Sequence, residues 1–305
     1  MDGILLVIKP PGMTSFDVVA YLRSVLKVRK IGHAGTLDPA AGGLLPVCLG
    51  KATKAIDWFA SFDKSYRAEM VLGIVTDTQD AEGRILEKND VLVDEEAIID
   101  AINSFTGKYE QVPPMYSAIK VNGRKLYDLA RQGIEVQREP RTVEISKVKV
   151  AEIKQESGNT IVRFDVDCSK GTYIRTLCHD IGQKLGCGGH MSFLIRTRVG
   201  PFSLTEGVTL EEINRHCEEG TIHSVIGSVD KLFQGYKTVN IDGKVLNGFL
   251  NGAFVRVKDE DMFDINDTVR VYSSSGCFLG LGRILYKAGK KALRAEKIFV
   301  SENQP

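Results

Sequence analysis

An α+β chain in two parts is what this sequence predicts, and three observations carry the reading. At 305 residues it is long enough for two domains. Between residues 4 and 230, strand-like apolar or alternating runs are interleaved with amphipathic segments that begin at capping residues. From about residue 237 the texture changes to short strand-length runs separated by Gly, Asp and Asn turns, which is the pattern of a small β-rich domain.

The elements follow in order. Ile4–Ile8 reads as a buried strand, stopped by Lys9-Pro10-Pro11-Gly12. Thr14 or Ser15 can cap a helix to about Leu26, with Val18, Val19, Leu22, Val25 and Leu26 on one face. Residues 32–50 hold five glycines and two prolines and form a structured loop segment. A short helix from Thr53 to Phe62 precedes a strand over Lys64–Gly73, and the acidic stretch 77–90 reads as an exposed loop. Asp94–Phe105 is an amphipathic helix, Tyr116–Val121 a strand and Lys125–Arg131 a short basic helix. Strands over about 141–154 and 160–168 lead through Ser169-Lys170-Gly171 into a helix from Thr172 to Leu185. A strand over Met191–Val199 and short helices over 209–227 complete the larger part. In the tail, Val239–Ile241, Phe254–Val257, Thr268–Tyr272, Phe278–Ile284 and Ile298–Val300 are the strand candidates.

Composition excludes several classes. Hydrophobic residues make up 43% and charged residues 26%, as in a globular protein, and no apolar run approaches the roughly 18 residues of a membrane helix. The early apolar stretch is broken at Lys9-Pro10, so no secretory leader is expected and the expected compartment is the cytoplasm. The six cysteines are scattered without a Cys-x-x-Cys and read as reduced core thiols. A net charge of +1 rules out a uniformly basic nucleic-acid protein, but the charge is polarised. Residues 119–149 carry eight basic and four acidic side chains, residues 287–297 five and one, and residues 77–100 two and nine. Such basic clusters can draw phosphates to a neutral chain, and they also describe ordinary solvated faces.

Motifs for other chemistries fail. Gly50-Lys51 lacks the spacing and the Ser or Thr of a phosphate loop. Cys178, His179, Cys187 and His190 are four possible zinc ligands, but Cys178 and His179 are adjacent on a helix and point about 100° apart. No metal site, nucleotide cofactor or serine nucleophile is expected.

Three segments remain. In His33-Ala34-Gly35-Thr36-Leu37-Asp38-Pro39, proline pushes Asp38 out of helical geometry, so its carboxylate projects from an irregular loop. That suits a catalytic carboxylate and equally a turn aspartate capping its own loop. Arg175, in Gly171-Thr172-Tyr173-Ile174-Arg175, can pair with such a carboxylate, and an adjacent guanidinium favours the charged form. It reads equally as a surface arginine. In Lys64-Ser65-Tyr66-Arg67, an aromatic between cations suits base stacking with phosphate contact, and also a half-buried strand tyrosine.

Together with Lys9–Ser15, Ala41–Pro46, Val112–Ala118, Gly123–Tyr127, the Cys168–Leu177 block and Leu194-Ile195-Arg196 followed by Arg198, these segments resemble the bacterial tRNA pseudouridine synthase B family, in order from about residue 4 to 230. The resemblance implies a mixed, mainly antiparallel sheet with flanking helices, the pseudouridine synthase fold, over residues 1–232, and a PUA-like RNA-binding domain over 237–300. It implies isomerisation of uridine 55 in the tRNA T-loop, with no cofactor, metal or guide RNA, by a monomer without an obligate protein partner. By the same resemblance Asp38 is the nucleophile, Tyr66 stacks on the flipped uracil, and Arg175 pairs with Asp38. His33 fills the gap the base leaves, Tyr173 and Leu194 line the pocket, and Lys9 packs nearby in a structural or phosphate-adjacent place. Lys64 and Arg67 beside Tyr66, and Lys120, Arg124 and Arg131 in a 119–141 insertion that closes over the T-arm, are the expected RNA contacts. Three competitors are a tRNA-binding module with a vestigial site, a guide-dependent synthase of the archaeal and eukaryotic type, and a zinc hydrolase built on Cys178, Cys187 and His190.

Overall fold

The computed structural model describes residues 1–121, 123–257 and 260–300. Strand β1, Gly3–Lys9, is buried almost throughout and ends where Pro10 removes the next ladder donor. Thr14 caps helix α1, Ser15–Leu26, in a capping box: its hydroxyl accepts from the Asp17 N–H, and the Asp17 carboxylate accepts from the Thr14 N–H. Ser15, the other candidate cap, instead turns its hydroxyl to Leu37. The face of α1 carrying Val18, Val19 and Leu22 packs on β1 and on β3, Gly42–Leu49, which the short β2, Ile31–His33, flanks.

Next come β4, Lys64–Leu72, helix α2, Glu95–Asn103, and β5, Gly107–Gln111. The long hairpin β6, Arg141–Glu156, and β7, Asn159–Cys168, leads into helix α3, Ile174–Lys184, and β8, Gly189–Val199. The main path of a ten-stranded sheet runs Ile226–Gly227, β1, β3, β8, β4, β7, β6, β5. Among the described strands the parallel ladder is β3 with β8, at Gly42 opposite Ile195 and Gly43 opposite Arg196, and the other pairs of the main path are antiparallel, so the sheet is mixed and mainly antiparallel, as expected. Register sets the site. Tyr66 lies opposite Val166 and Arg196, and Ala68 opposite Phe164 and Leu194. Directly opposed residues share a face. That face is covered by Ile174, Leu177, Cys178 and Ile181 of α3, each buried aliphatic side chain contributing roughly 1.5–3 kcal/mol.

A second sheet of five strands runs Thr238–Ile241, Thr268–Ser273, Phe278–Lys287, Lys290–Ile298, Val255–Arg256. It packs on the first part through Phe278, Leu281 and Phe299 against Trp58 and Phe233.

The structure corrects five expectations. Residues 32–50 are not all loop, because Gly42–Leu49 pairs with β1 along most of its length as a buried strand. The stretch 77–90 is not all loop, because Ile85–Lys88 pairs with Ile74–Thr76. Tyr116–Ile119 is not strand; the Tyr116 carbonyl accepts from Arg175 rather than from a neighbouring strand, and only Lys120–Val121 pairs, with Arg124–Lys125. The last strand is the basic Lys290–Ile298, in which only Leu293 is deeply buried, and not Ile298–Val300. The tail also holds a helix, Gly243–Leu250, absent from the strand reading. Among the described residues no helix is long and apolar enough to cross a membrane.

Candidate active site

The loop between β2 and β3 carries Asp38 and is tied down on both sides. The Leu37 N–H donates to the Ser15 hydroxyl at 2.9 Å, which donates back to the Leu37 carbonyl at 3.2 Å. The Pro39 carbonyl accepts from the Gly12 N–H at 2.8 Å and from Lys9 Nζ at 3.1 Å. Lys9 is fully buried and also donates to the carbonyls of Pro10, at 3.0 Å, and Met13, at 2.5 Å. Burial pulls its ammonium below the usual lysine range. Three carbonyls therefore hold Lys9 as a clamp under the loop.

Arg175, 8% exposed at its side chain, stands at the start of α3 because Tyr173 caps that helix in an extended conformation. Its Nε meets Asp38 Oδ2 at 3.2 Å, and its Nη1 meets Asp80 Oδ2 at 3.2 Å. Nη2 donates to the Tyr116 carbonyl at 2.7 Å. The two carboxylates differ: Asp38 is 43% exposed and Asp80 13%. Asp80 is further held by Thr78, which donates to its Oδ1 at 2.6 Å, whereas Asp38 Oδ1 receives no hydrogen bond from a described residue. One carboxylate is thus anchored and the other presented.

Tyr66 lies on the covered sheet face, 9% exposed, and burial pushes its hydroxyl up to about 12. Arg196 comes within hydrogen-bonding reach of that hydroxyl, and it donates from Nε to the Leu44 carbonyl at 2.8 Å and from Nη2 to the Gly35 carbonyl at 2.9 Å. The fit is close because residue 43 is glycine. With φ at +102°, a Cβ there would stand 2.4 Å from the Arg196 carbonyl oxygen. His33 is half-buried with Nδ1 enclosed and unpartnered, and burial, then the Arg196 charge, lowers its pKa. Tyr173 donates its N–H to Gln111 at 2.8 Å, and its hydroxyl is pushed up by burial. Leu194 lines a narrow crevice with Asp38, Asp80, Met191 and Phe193.

The structure thus brings Lys9, His33, Asp38, Tyr66, Tyr173, Arg175 and Leu194 around one end of the sheet. It does not bring Arg67 there. Strand alternation turns Arg67 to the opposite face from Tyr66, where it grips Asp165 with two bonds of 2.7 and 2.9 Å. Lys64 shares the Tyr66 face, but its ammonium donates to the Phe62 carbonyl at 2.6 Å. Lys120, Arg124 and Arg131 line an open cleft of their own, of about 570 Å³, together with Lys125 and Asp128. Two site members went unseen in the sequence as site residues. Asp80 sits in a stretch whose charge density described a solvated loop. Arg196 had a signal, since it stands two residues beyond Leu194 at a core-facing parity, where a charge needs a reason.

A half-exposed carboxylate anchored by a buried guanidinium, near a buried phenol, suits nucleophilic attack on a group held against that phenol.

The chain matches the family model described as TruB family pseudouridylate synthase, N terminal domain, over residues 23–174, and the tRNA pseudouridylate synthase B C-terminal domain over residues 175–234. It is 48% identical over 287 residues to tRNA pseudouridine synthase B of Clostridium acetobutylicum, covering 93% of this chain and 96% of that one. To the protein of the same name from Clostridioides difficile it is 42% identical over 306 residues, covering 98% and 100%. Among solved structures it is similar to that of a Cbf5–Nop10–Gar1 complex, with a TM-score of 0.71 and 30% identity over 98% of this chain and 85% of that chain. It is also similar to the archaeal box H/ACA sRNP Nop10–Cbf5 complex, with a TM-score of 0.70 and 26% identity over 99% and 87%.

Proposed function

The chain belongs to the TruB family of pseudouridylate synthases, and we propose that it isomerises uridine 55 of the tRNA T-loop with Asp38 as nucleophile. It is a tRNA pseudouridine synthase, an isomerase that converts uridine in tRNA to pseudouridine. The observation that carries the finer reading is the Asp38–Arg175 pair. It fixes one carboxylate oxygen at 3.2 Å from a buried guanidinium while the carboxylate stays 43% exposed, reachable by an RNA.

The chemistry follows from the product being an isomer. The C1′–N1 bond breaks, the uracil turns, C5 bonds to C1′, C5 loses its proton, N1 takes one up, and the bond that Asp38 makes to the nucleotide breaks to restore the carboxylate. No electrons enter or leave, so the reaction needs no redox cofactor. Asp38 attacks the nucleotide once the base has left its stack, which costs a few kcal/mol. Laying the base on the Tyr66 ring offsets roughly 1–3 kcal/mol of that. With its hydroxyl at about 12, Tyr66 meets the base as a neutral phenol at pH 7. The Arg196 charge offsets part of the cost of forming the phenolate, the form of Tyr66 that accepts the C5 proton. Leu194 and Tyr173 wall the base in, His33 fills the gap it leaves, and the basic cleft at Lys120, Arg124 and Arg131 takes phosphates of the T-arm from an insertion spanning 119–141. Residues 1–232 form the catalytic domain and 237–300 a PUA-like domain. The enzyme works in the cytoplasm as a monomer on free tRNA.

The test uses unmodified tRNA carrying tritium at uridine C5, with no guide RNA, metal or cofactor, and compares wild type with Asp38→Asn. Release of one equivalent per tRNA by wild type alone is expected, with tRNA binding kept by the variant. Full activity of Asp38→Asn would remove Asp38 as nucleophile, and release only on adding a guide would favour the archaeal type of synthase.

A further inference from the structure

Phe16 is the most exposed phenylalanine among the described residues, at 73%. It is the second residue of α1, whose apolar face uses Val18, Val19 and Leu22, and Phe16 belongs to none of the hydrophobic clusters of the fold. A large ring left in water contributes little to stability there. The turn that carries it is nonetheless pinned. The residue before it, Ser15, exchanges two hydrogen bonds with Leu37, the residue before Asp38. The capping box of Thr14 and Asp17 fixes the same turn of helix. The ring stands edge-on to the imidazole of His33, with centroids 5.1 Å apart and planes at 84°. His33 thereby braces Phe16, and the exposure leaves ring surface open to the same solvent that reaches Asp38.

We propose that Phe16 is a base-stacking platform: the nucleobase of a loop nucleotide next to the one attacked by Asp38 lies on its ring. The inference rests on the substrate being a folded RNA loop, as read above, and adds a second aromatic contact outside the catalytic pocket. Extrusion of one nucleotide unstacks its neighbours, and an exposed aromatic ring tied to the nucleophile loop offers a neighbour a replacement surface. Stacking tolerates any base, since every base has a π face, so Phe16 holds the loop open without reading its sequence.

The test measures binding of unmodified tRNA to Phe16→Ala, Phe16→Leu and Phe16→Trp, each in the Asp38→Asn background so that no turnover intervenes. Ala and Leu are expected to weaken binding by about 5- to 150-fold, the equivalent of roughly 1–3 kcal/mol per stacked base, and Trp to keep it. Leu separates stacking from apolar contact: if Leu binds as wild type does, the ring's π face is not what matters and the proposal fails. A binding loss under twofold for Ala also overturns it. In a parallel titration, tRNAs carrying 2-aminopurine at single T-loop positions should show one position quenched by the Phe16 protein and bright with Ala. Melting temperatures of the three variants should match the parent, because the ring is exposed. If the parent itself neither binds tRNA nor, with Asp38 restored, releases tritium from it, the proposed function fails instead, and the two failures are distinct.

Discussion

Replacing Arg175 with alanine should be the most costly single change at the site, and the structure says how the cost divides. The guanidinium is 8% exposed and meets two carboxylates at 3.2 Å each. At that distance a charge pair is worth about 5 kcal/mol at an effective dielectric of 20, and about 1 kcal/mol in water. Asp80, 13% exposed, lies near the first limit, and Asp38, 43% exposed, near the second. Desolvation of the buried pair cancels part of the gain, and breaking such pairs costs about 3–5 kcal/mol in total. We expect Arg175→Ala to lose about 3–4 kcal/mol, or about 5–6 °C of melting temperature for a chain of this size. Double-mutant cycles apportion it. The coupling of Arg175 to Asp80, measured with Asp80→Asn, should be about 2–3 kcal/mol. The coupling to Asp38, measured with Asp38→Asn, should be no more than about 1 kcal/mol. A larger coupling to Asp38 than to Asp80, or an Arg175→Ala protein as stable as wild type, would refute the division of labour in which Asp80 anchors and Asp38 is presented.

Three further outcomes are expected. Gly43→Ala places a Cβ 2.4 Å from the Arg196 carbonyl at a φ of +102°, so it should destabilise by about 3 kcal/mol or more, seen as lost soluble yield or a lower melting temperature. Burial raises Asp180 to about 6, so its protonated form is favoured in the folded state; that stability is complete below pH 3.8 and is lost as pH rises through 6. Asp180→Asn should therefore stabilise the protein at pH 7.5 by about 2–3 kcal/mol and change little at pH 4, read from melts at both pH values. The Tyr66 hydroxyl, raised by burial to about 12, contributes stability that is whole below pH 10 and is lost as pH rises from 10 to 12; Tyr66→Phe should flatten this part of the alkaline unfolding curve.

Much of the fold was legible because its signals are local. The alternation of Val162, Phe164, Val166 and Cys168 against charged neighbours marked β7, and observed burial follows that alternation. The capping residues before α1 and the turn before α3 marked the helix starts within two residues. Local signals failed where a tertiary partner took over. Ser15 has the chemistry of a cap, yet it serves the Asp38 loop, because Thr14 already caps the helix. The Tyr116 segment has strand composition, yet its carbonyl belongs to Arg175. The strand Lys290–Ile298 looked like a solvated basic run, because only Leu293 of its apolar residues is deeply buried.

By itself the sequence determined that an aspartate sits in a glycine-bounded loop, an arginine opens a helix after a turn, and a tyrosine lies within a strand, together with the family they resemble. Those are properties of chain neighbours, set by proline, glycine and side-chain period. Only the tertiary structure decided which groups meet. The register between β4 and β8 placed Arg196 beside Tyr66 and sent Arg67 to the other face, since one residue along a strand reverses the side a chain presents. The fold of the acidic stretch brought Asp80, 95 residues before Arg175 in the chain, onto the same guanidinium as Asp38. No local pattern encodes that pairing, because the charges that meet are chosen by which surfaces the core forces together.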